Sequence, residues 1–94
     1  LDFIIVGQGI AGSMLSWFLM KANQKVLVID KFNLSSASNV ASGISNPITG
    51  QRFVKSWLTD ELLPFAAKTY RELENRFGEQ FFHPVSIVKL FNSV

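Results

Sequence analysis

The 94-residue chain contains no cysteine and a single histidine, His83. The first absence excludes disulfides, thiolate metal sites, a thiol nucleophile and a cysteinyl cofactor linkage. The lone His83, beside Phe81, Phe82 and Pro84, reads as a packing or turn residue rather than a catalytic base. No second His and no carboxylate cluster accompanies it, so neither a zinc site nor a Ser-His-Asp triad can be assembled, and no metal is expected. Charge is scarce as well, at 17% of residues with a formal net of +2. The basic residues are scattered from Lys21 to Lys89, which gives no nucleic-acid surface. No apolar run reaches the roughly 18 residues of a membrane span. Asp2 stands where a signal peptide would carry basic residues, and Gly7-Gln8-Gly9 breaks the apolar stretch that follows. The expectation is a cytoplasmic protein, or one attached peripherally to a membrane.

A fourth absence is more local. No Lys or Arg occurs between Asp2 and Lys21, yet this is the segment that carries Gly7, Gly9 and Gly12 at the spacing G-x-G-x-x-G. Phosphate bound there would be met by backbone N–H groups and a helix dipole alone. That suits a dinucleotide cradle better than a P-loop, which ends in a Lys.

The surrounding pattern supports the cradle. Phe3-Ile4-Ile5-Val6 is a β-branched run without polar alternation, as expected of a parallel strand covered on both faces. From Ile10 the apolar residues Ile10, Met14, Leu15, Phe18 and Leu19 recur at helical intervals, and Asn23 is placed to end the helix. A second strand, Val26-Leu27-Val28-Ile29, stops at Asp30. Gly7 can turn the chain out of the first strand, Gly9 leaves room for a pyrophosphate, and Gly12 lets the helix lie close on the strand. Asp30 lies roughly twenty residues beyond the loop, the distance at which a carboxylate meets ribose hydroxyls, and it would repel a 2′-phosphate. The fold class expected is therefore α/β, the N-terminal part of a Rossmann-like FAD/NAD(P)-binding domain. Residues 33–50, NLSSASNVASGISNPITG, show little periodicity and read as a long loop. Loops of that length are commonly binding segments.

The combination of FIIVGQGIAG, VLVIDK and SNVASGISNP resembles the N-terminus of the FAD-dependent oxidoreductases of the D-amino-acid oxidase family, which includes glycine oxidase and sarcosine oxidase. The resemblance covers Asp2 to about Pro47. Its most specific part is Ala41-Ser42-Gly43-Ile44, where the family places an Ala-Ala-Gly-like turn against the flavin. It implies an enzyme that oxidises an amine or amino acid by hydride transfer to FAD. It also implies cofactor contacts from Gly7, Gln8, Gly9, Ile10, Ala11, Gly12, Asp30, Lys31, Ser38, Asn39, Ser42, Gly43 and Ile44, and leaves the catalytic residues unassigned. Two positions depart from the family pattern. Asp30 stands where a Glu is usual, which keeps an NAD-binding dehydrogenase as the alternative. The nearest basic residue to the flavin loop is Arg52, later than in sarcosine-oxidase relatives. A non-catalytic Rossmann-like interaction module is the third reading. A small-molecule substrate is the partner implied, and oligomeric state is not indicated.

Beyond the loop, Ser56 or Thr59 is placed to cap a helix that runs to about Phe77 and ends at Gly78. Leu58, Leu62, Phe65, Ala66, Tyr70, Leu73 and Phe77 form its apolar stripe. Pro64 either kinks this helix or marks its first turn. Val85 to Phe91 reads as a strand. A Rossmann-like half needs a third parallel strand, so the chain is expected to be an N-terminal fragment. Residues 1–80 would then be a partial FAD-binding domain and residues 81–94 the beginning of a substrate-binding domain.

Overall fold

A computed structural model describes residues 1–49, 54–88 and 90. The chain divides into two units, Leu1–Ser45 and Asn46–Val94. Among the described residues no helix is long and apolar enough to cross a membrane.

The first unit is a β-α-β crossover. Strand β1, Phe3–Val6, and strand β2, Val26–Ile29, pair in parallel with Phe3 opposite Val26 and Ile5 opposite Val28. Helix α1, Ile10–Lys21, connects them. Asp2 fastens one end of the pair: its N–H donates to the Lys25 carbonyl oxygen at 2.9 Å, and its carboxylate accepts the Lys25 N–H at 2.7 Å. Helix α1 stops where Asn23 was expected to stop it. Asn23 takes a φ of 59°, its N–H reaches the Met20 carbonyl, and the Gln24 N–H reaches the Leu19 carbonyl, both at 3.0 Å. That pair of bonds is a Schellman motif, which satisfies helix-end carbonyls otherwise left open.

Burial departs from the sequence expectation in two ways. Ile5 is 8% exposed and Val28 lies on its face, toward α1, while Ile4, Val6, Leu27 and Ile29 point to the other face and are exposed. The strands are therefore covered on one face rather than two, because this unit supplies only α1 as a long helix. The inward side of α1 is only partly its apolar stripe, of which Met14, Phe18 and Leu19 are half-buried. Ser16 is buried and donates to the Gly12 carbonyl oxygen at 2.7 Å, whereas Ile10 and Leu15 are exposed. A helix lying this close to a strand needs small residues along the contact, and Gly12 and Ser16 provide them.

The stretch expected as a long loop is partly structured. Helix α2, Ala37–Val40, forms one turn within the first unit. In the second unit, strand β3, Ile48–Thr49, pairs antiparallel with strand β4, Val54–Lys55. Gly50 and Arg52 lie outside the described residues.

Helix α3, Thr59–Phe77, matches the expected span, and Gly78 closes it at a φ of 68°. Its start differs from expectation. Leu58 is the N-cap, in the left-handed region at φ 53° and with no side-chain cap. The Thr59 hydroxyl turns back to donate to the Ser56 carbonyl oxygen at 2.6 Å, so neither Ser56 nor Thr59 serves as the cap. Pro64 sits inside the helix, in its second turn, rather than at its start. The least exposed positions are Thr69 and Leu73, with Ala66 and Tyr70 half-buried, while Leu62, Phe65 and Phe77 are exposed. Tyr70 faces the segment after the helix, stacked on Phe82 at 5.1 Å between ring centroids and edge-on to Phe81 at 6.3 Å. Glu74 holds that segment, its carboxylate accepting the Phe81 N–H at 2.9 Å and the Phe82 N–H at 3.2 Å. Of the strand expected over Val85–Phe91, residues 85–88 and 90 are not in a strand, and Lys89 and Phe91 lie outside the described residues. The described residues offer that segment no partner edge, and a strand without a partner has no ladder to form.

Candidate functional site: the glycine loop and the end of the second strand

The end of β1 delivers the chain into the glycine loop through Gly7. The Gly7 N–H donates to the Ile29 carbonyl oxygen at 2.7 Å, extending the ladder by one residue. Its φ of 101° then turns the chain sharply, a conformation that a Cβ would strain. Gly12 is required for a different reason. A Cβ there would collide with the Gly7 carbonyl oxygen, and would stand 3.1 Å from the Gly7 carbonyl carbon and 3.4 Å from Ile5 Cγ2. The helix start is thus pressed against the loop that precedes it.

Gly9 is the N-cap of α1 and has no side chain with which to cap it. That role passes to Ser38 on α2, whose Oγ accepts the Ile10 N–H at 3.0 Å. The same Oγ lies 3.0 Å from where a Gly9 Cβ would stand. The Ser13 N–H makes the first bond within the helix, to the Gly9 carbonyl oxygen. Among the described residues, no protein acceptor meets the N–H groups of Gly9, Ala11 or Gly12. These are the donors that a helix N-terminus leaves open, at the positive end of its dipole.

Asp30 closes the site from the other strand. One carboxylate oxygen accepts the Gln8 N–H at 2.9 Å and the other accepts the Phe32 N–H at 2.7 Å. These two bonds, Gln8 first, with a smaller contribution from Lys31 N–H, hold the Asp30 carboxyl below the usual carboxylate range despite a slight opposing desolvation. The group is exposed and ionised. A carboxylate has about four lone-pair positions, more than these donors fill, so acceptor capacity remains for a ligand.

The remaining expected site residues are not drawn into this cluster. Lys31 follows Asp30 and is exposed. Asn39, on α2, turns its side-chain amide to the Asn33 carbonyl oxygen at 3.0 Å. Ser42 and Ile44 are exposed, and Gly43 between them has a φ of 72° with open space around it. What sequence reasoning missed is that Asp30 and Ser38 bond the glycine loop itself. Nothing in local spacing signals this, because the partners are 22 and 28 residues apart. The β3–β4 hairpin had a signal: β-branched Ile48, Thr49 and Val54 flank Gly50.

Residues 2–91 match the sequence model of the family described as FAD dependent oxidoreductase. The chain belongs to that family. FAD is the cofactor on which the family depends, and membership implies a Rossmann-like FAD-binding fold, of which the parallel β1–β2 pair and its crossover helix are a part. The NAD alternative raised by Asp30 has no comparable support. The chain is also 35% identical over 72 residues to the uncharacterized oxidoreductase YurR of Bacillus subtilis (strain 168). That alignment takes in 77% of this chain and 19% of YurR, so the chain spans about a fifth of the length of this relative. No solved structure matches.

Proposed function

We propose that this chain supplies dinucleotide-binding residues of an FAD-dependent oxidoreductase acting on an amine or amino acid, within the D-amino-acid oxidase and glycine oxidase branch. The observation that carries the reading is the joined geometry of the glycine loop and Asp30. Open N–H groups at a helix N-terminus lie beside a loop with no side chain at Gly9, and an ionised carboxylate stands at the end of the neighbouring strand. These residues fit a dinucleotide. Gly9, Ala11 and Gly12 can donate to a pyrophosphate, the α1 dipole favours its charge, and the spare lone pairs of Asp30 can accept ribose hydroxyls. Gln8, Ile10 and Ser38 shape the cradle. Lys31, Asn39, Ser42, Gly43 and Ile44 are assigned to the rest of the cofactor on the sequence resemblance alone. When bound, FAD supplies the electron acceptor for oxidation beside the amine, and the protein contributes binding and orientation. In this reading residues 1–80 belong to the FAD-binding domain and residues 81–94 lead into the substrate-binding one. The substrate is a small molecule.

The test uses the full-length protein. Purified without added cofactor, it is expected to show flavin absorbance and to release hydrogen peroxide with an amino acid or a secondary amine. A flavin-free protein with nicotinamide-dependent activity would overturn the proposal.

A further inference from the structure

We infer that Asp30 sets the shape of the glycine loop before any nucleotide arrives, acting as a positioning residue through its bond to the Gln8 N–H. The inference rests on reading that loop as the dinucleotide cradle, and it adds to Asp30 a function that contact with a ribose does not include.

Gln8 lies between Gly7 and Gly9. A residue flanked by two glycines is the part of a loop with most conformational freedom to lose. Three ties remove that freedom. Gly7 N–H is held by the Ile29 carbonyl at the exit of β1, and Ile10 N–H is held by Ser38 Oγ at the entry to α1. Between them, Gln8 N–H is held by Asp30 Oδ1 at 2.9 Å. The second oxygen, Oδ2, is fixed by the Phe32 N–H at 2.7 Å, a bond within the turn that leaves β2. One side of the carboxylate is thus anchored locally while the other reaches 22 residues back to the loop. The three tied donors, Gly7, Gln8 and Ile10, alternate with or flank those that meet no protein acceptor among the described residues, Gly9, Ala11 and Gly12. Holding the former keeps the latter in one arrangement. A site competent for only a fraction of the time binds more weakly by that fraction, so releasing Gln8 should weaken every ligand of the loop, with or without a ribose hydroxyl.

The strand pair supplies its own control. At its opposite end Asp2 makes a bond of the same kind, its carboxylate accepting the Lys25 N–H at 2.7 Å. Losing that bond perturbs the same two strands but not the loop.

The experiment takes the full-length protein stripped of flavin and measures binding of ADP and of its dideoxyribose analogue, which keeps the pyrophosphate and lacks both ribose hydroxyls. Asp30→Ala is expected to weaken the dideoxy analogue by about tenfold, and Asp2→Ala to leave it within about twofold. If Asp30→Ala does not fold, the amide exchange of Gln8 in the wild type carries the test. Amide exchange of Gln8, measured without ligand, is expected to be slow in the wild type and faster by about tenfold or more in Asp30→Ala. A variant that loses ADP affinity while binding the dideoxy analogue as the wild type does would overturn the inference, leaving Asp30 a ribose contact alone. An unprotected Gln8 in the wild type would overturn it too, whatever the nucleotides do. A protected Gln8 in a wild type that binds neither nucleotide would instead overturn the cradle reading and leave the Asp30 tie standing.

Discussion

Gly9 and Gly12 are three residues apart and fail for opposite reasons when a side chain is added. At Gly12 the obstruction is backbone, the carbonyl group of Gly7, which cannot turn aside without moving the loop. Gly12→Ala is therefore expected to destabilise the full-length protein by about 1–3 kcal/mol, in the range of overpacked cores. Chemical denaturation of flavin-free protein measures it, and an unchanged midpoint would count against the close approach. At Gly9 the neighbour is Ser38 Oγ, the end of a side chain that can rotate away, so substitution there acts on what the loop holds more than on folding. Both glycines were legible from their spacing, and so was the position of Asp30. The bonds from Asp30 to Gln8 and from Ser38 to Ile10 were not, because each joins segments that meet only after the crossover has folded.

At the scale of elements, β1, α1, β2 and α3 follow the sequence closely, since each is set by local chemistry. Short β-branched runs form the parallel strands, Asn23 ends α1, and Gly78 ends α3. The faces these elements present were less legible. Hydrophobic periodicity nominated Leu15 and Phe65, whereas the structure turns Ser16 and Thr69 inward, each donating its hydroxyl to a carbonyl one turn back. Satisfied in that way, a small polar residue can be buried at little cost, and periodicity alone does not register it. The segment after α3 was read as leading to a strand. It is instead clasped to the helix by Glu74 and stacked on Tyr70. Glu74→Ala is expected to cost about 1.5 kcal/mol, the low end for a charged acceptor, because the site is half-exposed. The measurable sign is faster chymotryptic cleavage after Phe81 and Phe82, and cleavage at the wild-type rate would contradict the clasp.

At the scale of the molecule, a dinucleotide loop was legible because its chemistry lies within one β-α-β unit, whereas family and cofactor class came from the resemblance of that unit and of the Ser38–Pro47 segment to known flavoproteins. Substrate chemistry was not legible. Among the described residues no second titratable side chain joins Asp30 beside the glycine loop, and the chain accounts for 19% of the length of its Bacillus subtilis relative. The glycine loop is proposed to hold the pyrophosphate of FAD. The most direct test is the flavin content of purified full-length protein, compared between wild type and Gly9→Val. Stoichiometric FAD is expected in the wild type and none in Gly9→Val, with the variant still folded because its nearest obstruction is the movable Ser38 hydroxyl. Equal flavin content in the two proteins would contradict it.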